Sequence, residues 1–146
     1  MGTRLIEGIQ ITPLKVIPGE LGDIYHAFKR SDEGFEGFGE AYFSNVKTGT
    51  IKGWKKHSRM ILNLVVPVGA IKFVLFDDRE GSPTQGMYNE FVHSLENYNR
   101  LTVPQGVWMA FQGVGNGQNM LLNIASIPHD PQESENQPLE AIQYEW

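Results

Sequence analysis

The chain has 146 residues, 40% of them hydrophobic and 20% charged, with no cysteine and a net charge of -5 at pH 7. This is the composition of a soluble globular protein; it excludes disulfides and thiolate metal sites, and its acidic balance argues against nucleic acid as the partner. Met1 to Pro13 lacks the apolar run and small-residue cleavage site of a signal peptide, and the longest apolar stretch, Ile61 to Phe76, is broken by Asn63, Pro67 and Lys72 and is too polar to span a bilayer. The expectation is one cytoplasmic domain, residues 1–146, with no membrane partner.

Taken in order, Leu5–Leu14 alternates loosely and predicts a first strand or arm, followed by a turn at Pro18-Gly19. Asp23–Phe28 predicts a short strand or one helical turn, and Lys29–Gly34 a polar loop. Phe35–Phe43 alternates aromatic with small or acidic residues, and Gly37 and Gly39 argue for a strand with bulges or close backbone approach. Three strands are then expected at Ile51–Trp54, Met60–Pro67 and Ala70–Phe76, the last two joined by a tight Pro67-Val68-Gly69 turn. A polar loop, Asp77–Met87, leads to a strand at Tyr88–His93 and a turn at Ser94–Asn99. Strands Leu101–Val103 and Val107–Phe111 flank a Pro104-Gln105-Gly106 turn, and a hairpin loop at Gly113–Gly117 precedes the apolar strand Met120–Ile127. Pro128–Pro138 is expected to be irregular and Ile142–Trp146 to end in a strand. Many short strands between turn signals, without a long amphipathic helix, predict an all-β antiparallel sandwich or barrel that holds a ligand in its mouth.

Several motifs then fall into one order: Lys52-Gly53-Trp54-Lys55, Val68-Gly69, Asp77-Asp78-Arg79, Ser82-Pro83-Thr84, Arg100–Val103 followed by Pro104-Gln105-Gly106, and the tail Glu140–Trp146. In that order they resemble the jelly-roll cupins related to dTDP-4-dehydrorhamnose 3,5-epimerase, from about Gly22 onward. The resemblance implies a cupin-type jelly roll and a pocket inside it for a nucleotide-linked keto-sugar (dTDP, CDP or GDP). It implies a homodimer with exchanged N-terminal strands and no cofactor. The implied reaction is epimerisation at C3, C5 or both of an NDP-4-keto-6-deoxyhexose, in surface-polysaccharide (O-antigen) sugar biosynthesis. The chain departs from the family at its catalytic positions: the base histidine falls at Lys55, the tyrosine at Asn123 and a further histidine at Met109.

Proton abstraction beside a ketone needs a base near neutral pKa and a donor for the developing enolate. Lys55 and His57 are two apart and share a strand face. Histidine titrates in the required range. A lysine acts as base only where burial or neighbouring cations lower its pKa, and otherwise stabilises the enolate as a cation. Tyr42 is the leading phenol donor, because the strand Phe35–Phe43 is expected to run beside Gly49–Lys55. Lys52 and Arg59 are candidates for the diphosphate. Trp54, Asn63 and Asn123 complete the expected substrate-binding set, Trp54 competing with a role in the core. The four histidines are scattered, without the His-x-His pair of metal cupins, so no metal is expected. Two other outcomes stay open: a nucleotide-sugar-binding cupin without catalysis, supported by the replaced histidine and tyrosine, and a related 3,4-ketoisomerase, weakened by the missing His-x-His.

Overall fold

Alternating apolar and polar residues fold the chain into two antiparallel five-stranded sheets in the computed structural model, which describes residues 4–146. The first sheet contains β1 (Gln10–Pro13), β4 (Glu40–Asn45), β6 (Leu62–Val68), β9 (Asn99–Val103) and β11 (Met120–Ala125), in the order β1-β9-β6-β11-β4. The second contains β5 (Ile51–His57), β7 (Ala70–Asp77), β8 (Tyr88–Ser94), β10 (Val107–Gly113) and β12 (Ser134–Asn136), in the order β12-β5-β10-β7-β8. A small hairpin of β2 (Val16–Ile17) and β3 (Ile24–Tyr25) stands apart, with Val16, Ile17, Ile24 and Tyr25 exposed. This is the all-β cupin jelly roll. Among the described residues no helix is long and apolar enough to cross a membrane.

The predicted tight turns mostly carry the chain between sheets rather than closing hairpins. Gly69 links β6 of one sheet to β7 of the other, at φ +73°, where an added Cβ would lie 2.3 Å from the Gln118 carbonyl oxygen. Only glycine fits both that conformation and that contact. Pro104-Gln105-Gly106 likewise takes β9 to β10, and the loop Gly113–Gly117, expected as a hairpin, takes β10 to β11. Sequence shows a turn but not which partner each strand then finds. Three further differences are local. The strand predicted from Phe35 starts at Glu40, the segment expected to be irregular contains β12, and the tail is not a strand but a 3-10 turn at Leu139–Ala141 followed by irregular chain.

Period-two alternation sorts the side chains. Leu62, Leu64 and Val66 of β6 meet Ile71, Phe73 and Leu75 of β7 between the sheets, with Val107 and Met109 of β10. Trp108 and Ala110 of β10 point to the outer face, where Trp54, Val74 and Ile142 pack as a second cluster. The described N-terminal segment is tied down by polar groups. Buried Asp77 accepts from Arg79 Nε (2.9 Å), Ser82 Oγ (2.7 Å) and Thr84 Oγ1 (2.6 Å). Arg79 Nη2 and Thr84 Oγ1 in turn hold the Glu7 carbonyl and N–H. The Asp-x-Arg and Ser-Pro-Thr motifs are therefore one knot. Burial pushes the Asp77 carboxyl up, but the hydrogen bonds from Arg79, Thr84 and Ser82 outweigh it and hold it well below the ordinary range.

His93 on β8 is also buried, with Nδ1 unpartnered among the described residues, and burial pushes its pKa down to about 4. The two groups give two pH-dependent expectations. Asp77→Asn should lower unfolding stability by about 3 kcal/mol at pH 7. Because the native carboxyl is depressed, that deficit is full above roughly pH 4 and shrinks as pH falls further; urea titrations across pH 2–7 check it. His93 folds neutral, so its unfolded form binds the extra proton. Stability is full above about pH 6.5 and falls, by on the order of 3 kcal/mol, as pH drops toward the folded value. His93→Leu should flatten the stability profile in that window.

Candidate active site

Between the sheets lies a cavity of about 240 Å³. Its floor is apolar, with Leu62, Leu64, Met109 and Leu121 among its walls. Its polar groups come from two sides. Strand β5 of the second sheet contributes Lys52, Lys55 and His57; strands β4 and β11 of the first contribute Tyr42, Ser44 and Asn123. A site of this kind, apolar with few convergent polar groups, suits a small organic ligand. None of the residues lining the cavity is acidic, so it favours an anion.

The arrangement of β5 departs from simple alternation. Met109 of β10 pairs with Lys55 and Phe111 with Lys52, so three steps along β5 match two along β10. This bulge turns Lys52 inward together with Lys55 and His57, although its spacing from Lys55 is odd. Gly53 permits it: a Cβ there would lie 2.3 Å from the Ala110 Cβ. Lys52 Nζ donates to the Asn45 carbonyl at 2.7 Å. Lys55 is exposed to the cavity mouth and has no hydrogen bond or ion pair among the described residues. Lys56, between the inward pair, points to the outer face, 4.7 Å from the Trp108 ring centroid.

His57 is held by Glu133, a carboxylate 4% exposed that the sequence reading did not select. Glu133 Oε1 takes His57 Nδ1, and Oε2 accepts from the backbone N–H groups of Arg59 and Met60, each at 3.1 Å. Burial pushes the carboxyl up; the bonds from His57, Arg59 and Met60 outweigh that and hold it below the ordinary range. With Nδ1 engaged, Nε2 is the nitrogen available to the cavity. The only sequence signal for Glu133 is chemical: a histidine base needs an acceptor for its second nitrogen, and Asp130, Glu133 and Glu135 lie close together after the late strand. Residues Ser134–Asn136 pair with His57–Lys55 as β12, which fixes the carboxylate and brings Asn136, also unforeseen, to the cavity.

Tyr42 reaches the cavity by a route other than the expected one. Strand β4 pairs with β11, not with β5, and Tyr42 lies directly opposite Asn123, whose Nδ2 donates to Tyr42 Oη at 2.9 Å. The phenol therefore stands beside the position where the resemblance puts the family's tyrosine, delivered from the neighbouring strand.

Three expected binding residues lie elsewhere. Trp54 is fully buried on the outer face, its Nε1 donating to the Leu139 carbonyl at 3.2 Å, because strand alternation puts it on the side opposite its neighbour Lys55. Asn63 sits between the inward-facing Leu62 and Leu64 and so points the other way; its Oδ1 accepts from Arg100 Nε (3.2 Å) and Thr102 Oγ1 (2.6 Å). Arg59 lies beyond the end of β5, its Nη2 3.0 Å from Asp130 Oδ2, and does not line the cavity. Among the described residues no three His, Asp or Glu side chains gather as metal ligands.

Comparison with known proteins agrees with this geometry. No family model matches the chain. The crystal structure of a dTDP sugar isomerase from Desulfovibrio desulfuricans G20 is 39% identical, with a TM-score of 0.90 over 93% of this chain and 87% of that one. A probable low-salt glycan biosynthesis epimerase, Agl13, of Haloferax volcanii is 27% identical over 134 residues, covering 90% of this chain and 86% of its own. The dTDP-4-dehydrorhamnose 3,5-epimerase of Sulfolobus tokodaii, 23% identical with a TM-score of 0.85 over 97% of this chain and 84% of that one, shares the fold. With the jelly roll, the inter-sheet cavity and a 39% identical relative in agreement, the chain belongs to the dTDP-4-dehydrorhamnose 3,5-epimerase-like cupins, a family of sugar epimerases and isomerases.

Proposed function

We propose that the protein epimerises a nucleotide-linked 4-keto-6-deoxyhexose at C3, C5 or both, without a cofactor, to supply a sugar for surface polysaccharide. The observation that carries this reading is the placement of His57, backed by buried Glu133, on one wall of the cavity and of Tyr42 on the other. Inversion of a carbon requires removal of its proton from one face and delivery to the opposite face.

In this mechanism His57 Nε2 takes the proton from the carbon beside the ketone. The C–H electrons form the enolate, whose oxygen bears the charge. Lys55, in its charged form, stabilises that oxygen. Tyr42 O–H then returns a proton to the opposite face, leaving a phenolate and an imidazolium that reset through solvent. Glu133 keeps the imidazole tautomer and stabilises its charged form. Lys52 and the absence of acidic lining favour the diphosphate. The name of the Desulfovibrio relative makes dTDP the first nucleotide to try. The family positions now held by Lys55 and Asn123 favour a second reading, in which the cavity binds the nucleotide sugar without turnover.

Incubation with dTDP-, CDP- and GDP-4-keto-6-deoxyhexoses in D₂O, followed by NMR, separates the two. Catalysis places deuterium at C3 or C5; a thermal shift with no deuterium on any substrate supports the binding module. If catalysis is seen, His57→Gln should lower kcat by about 10²–10⁴-fold, and Tyr42→Phe should slow inversion more than exchange at the base. Glu133→Gln should cost about 10–100-fold and shift the acid limb of the pH profile. We also propose a homodimer that covers the exposed β2–β3 hairpin. Sedimentation equilibrium should return twice the chain mass, and Ile24→Asp should reduce it to the monomer.

A further inference from the structure

The cavity sorts its side chains by depth. Tyr42, Lys52, Lys55 and Asn136 are exposed and form its rim. Strands β6, β9 and β10 line the interior with apolar side chains alone, among them Leu62, Leu64, Val103 and Val107, each no more than 4% exposed. His57 stands at one end of this interior. Lys55 pairs with Met109, and the Gly106 N–H donates to the His57 carbonyl at 2.8 Å, which brings Val107 beside the imidazole. Leu62 and Val103 are directly opposed across β6 and β9, and buried Met60 precedes β6. The base therefore faces a wall of Met60, Leu62, Val103 and Val107 that has no hydroxyl, amide or charge.

The volume of about 240 Å³ is smaller than the roughly 300–1,000 Å³ of sites that enclose a whole ligand. A nucleotide sugar thus enters by its sugar, with the diphosphate left at the rim among the lysines. With C1 at the rim, the far side of the ring, C4 with its neighbours C3 and C5, reaches the interior. C3 bears a hydroxyl and C5 bears the C6 methyl group. A hydroxyl set against the apolar wall gives up its hydrogen bonds to water and gains none, whereas a methyl group gains by leaving water.

We propose that Met60, Leu62, Val103 and Val107 seat the C6 methyl group, which sets C5 rather than C3 beside His57 and makes this end of the cavity the determinant of a 6-deoxy sugar. The proposal rests on the keto-sugar reading of the cavity and adds to it a methyl subsite and a choice of carbon. His57 Nε2 then takes the C5 proton, and the C–H electrons form the C4–C5 enolate. An apolar pocket rejects a ligand that adds one hydroxyl by up to about 100-fold, and a hydroxyl supplied by the protein relieves that rejection.

The test compares dTDP-6-deoxyglucose with dTDP-glucose, and the corresponding CDP and GDP pairs, by titration calorimetry. The proteins are the wild type, Val107→Thr and Val103→Thr, each checked for folding by circular dichroism. Each threonine keeps the valine shape and adds one hydroxyl. The wild type should bind the 6-deoxy ligand about 10–100-fold more tightly. Either threonine should bring the preference below about 10-fold, chiefly by tightening the 6-hydroxy ligand. In D₂O the wild type should place deuterium at C5 of the 4-keto-6-deoxy substrate. Equal binding of the two sugars by the wild type, an undiminished preference in both folded threonine variants, or deuterium at C3 alone overturns the proposal and leaves the keto-sugar reading intact. Binding without deuterium at either carbon removes the catalytic reading and the C5 assignment together, and binding of no pair removes the keto-sugar reading and this proposal with it. Should neither threonine variant fold, the wild-type preference and the position of deuterium still decide.

Discussion

Strand β5 is held along both edges, and the rest of the site depends on that. On one edge β10 approaches so closely at Gly53 that no side chain could stand there. On the other edge β12 contributes only three residues, yet Glu133 at its start reaches back to His57 and to two backbone N–H groups. The bulge at the first edge turns Lys52 inward, and the carboxylate at the second fixes the imidazole. A free β5 edge would leave His57 with an unpaired nitrogen and Lys55 without a defined direction.

The outer face supports the same strand. Trp54 is locked between the Leu139 carbonyl and the second hydrophobic cluster, with Trp146 6.1 Å away between ring centroids. Lys72 lies over the Tyr144 ring at 5.0 Å and pairs with Glu90. The tail is therefore part of the backing of β5, although it is not the strand its composition predicted. Large aromatic side chains bury well against a sheet face whether or not their own backbone joins the ladder.

On the facing wall the polar residues follow a different logic. Asn123 stands where the resemblance puts a tyrosine, and the cross-strand pairing of Asn123 with Tyr42 keeps a phenol at the cavity. Directly opposed residues in an antiparallel pair lie close enough for side chains to substitute for one another. Loss of a motif residue in one strand thus need not remove its chemical group from the site.

Local chemistry made much of this legible in the sequence. Alternation in LNLVVPV and AIKFVLF marked β6 and β7, glycines marked the corners, and the two-residue spacing of Lys55 and His57 put both on one face, because those features depend only on neighbouring residues. The same rule, applied to Leu62 and Leu64, already turns Asn63 away from the cavity. What needed the tertiary structure was everything set by contact between distant segments. The sheet to which each strand belongs, the extra residue that turns Lys52 inward, the apolar cluster that covers Trp54 and the capture of Arg59 by Asp130 are of this kind. So are the union of His57 with Glu133, 76 residues away, and of Tyr42 with Asn123, 81 residues away. Backbone sterics and side-chain period act within a few residues and can be read in order along the chain. Which strand edge a segment finds, and which buried polar group it must satisfy there, is decided only when the two sheets close over the cavity.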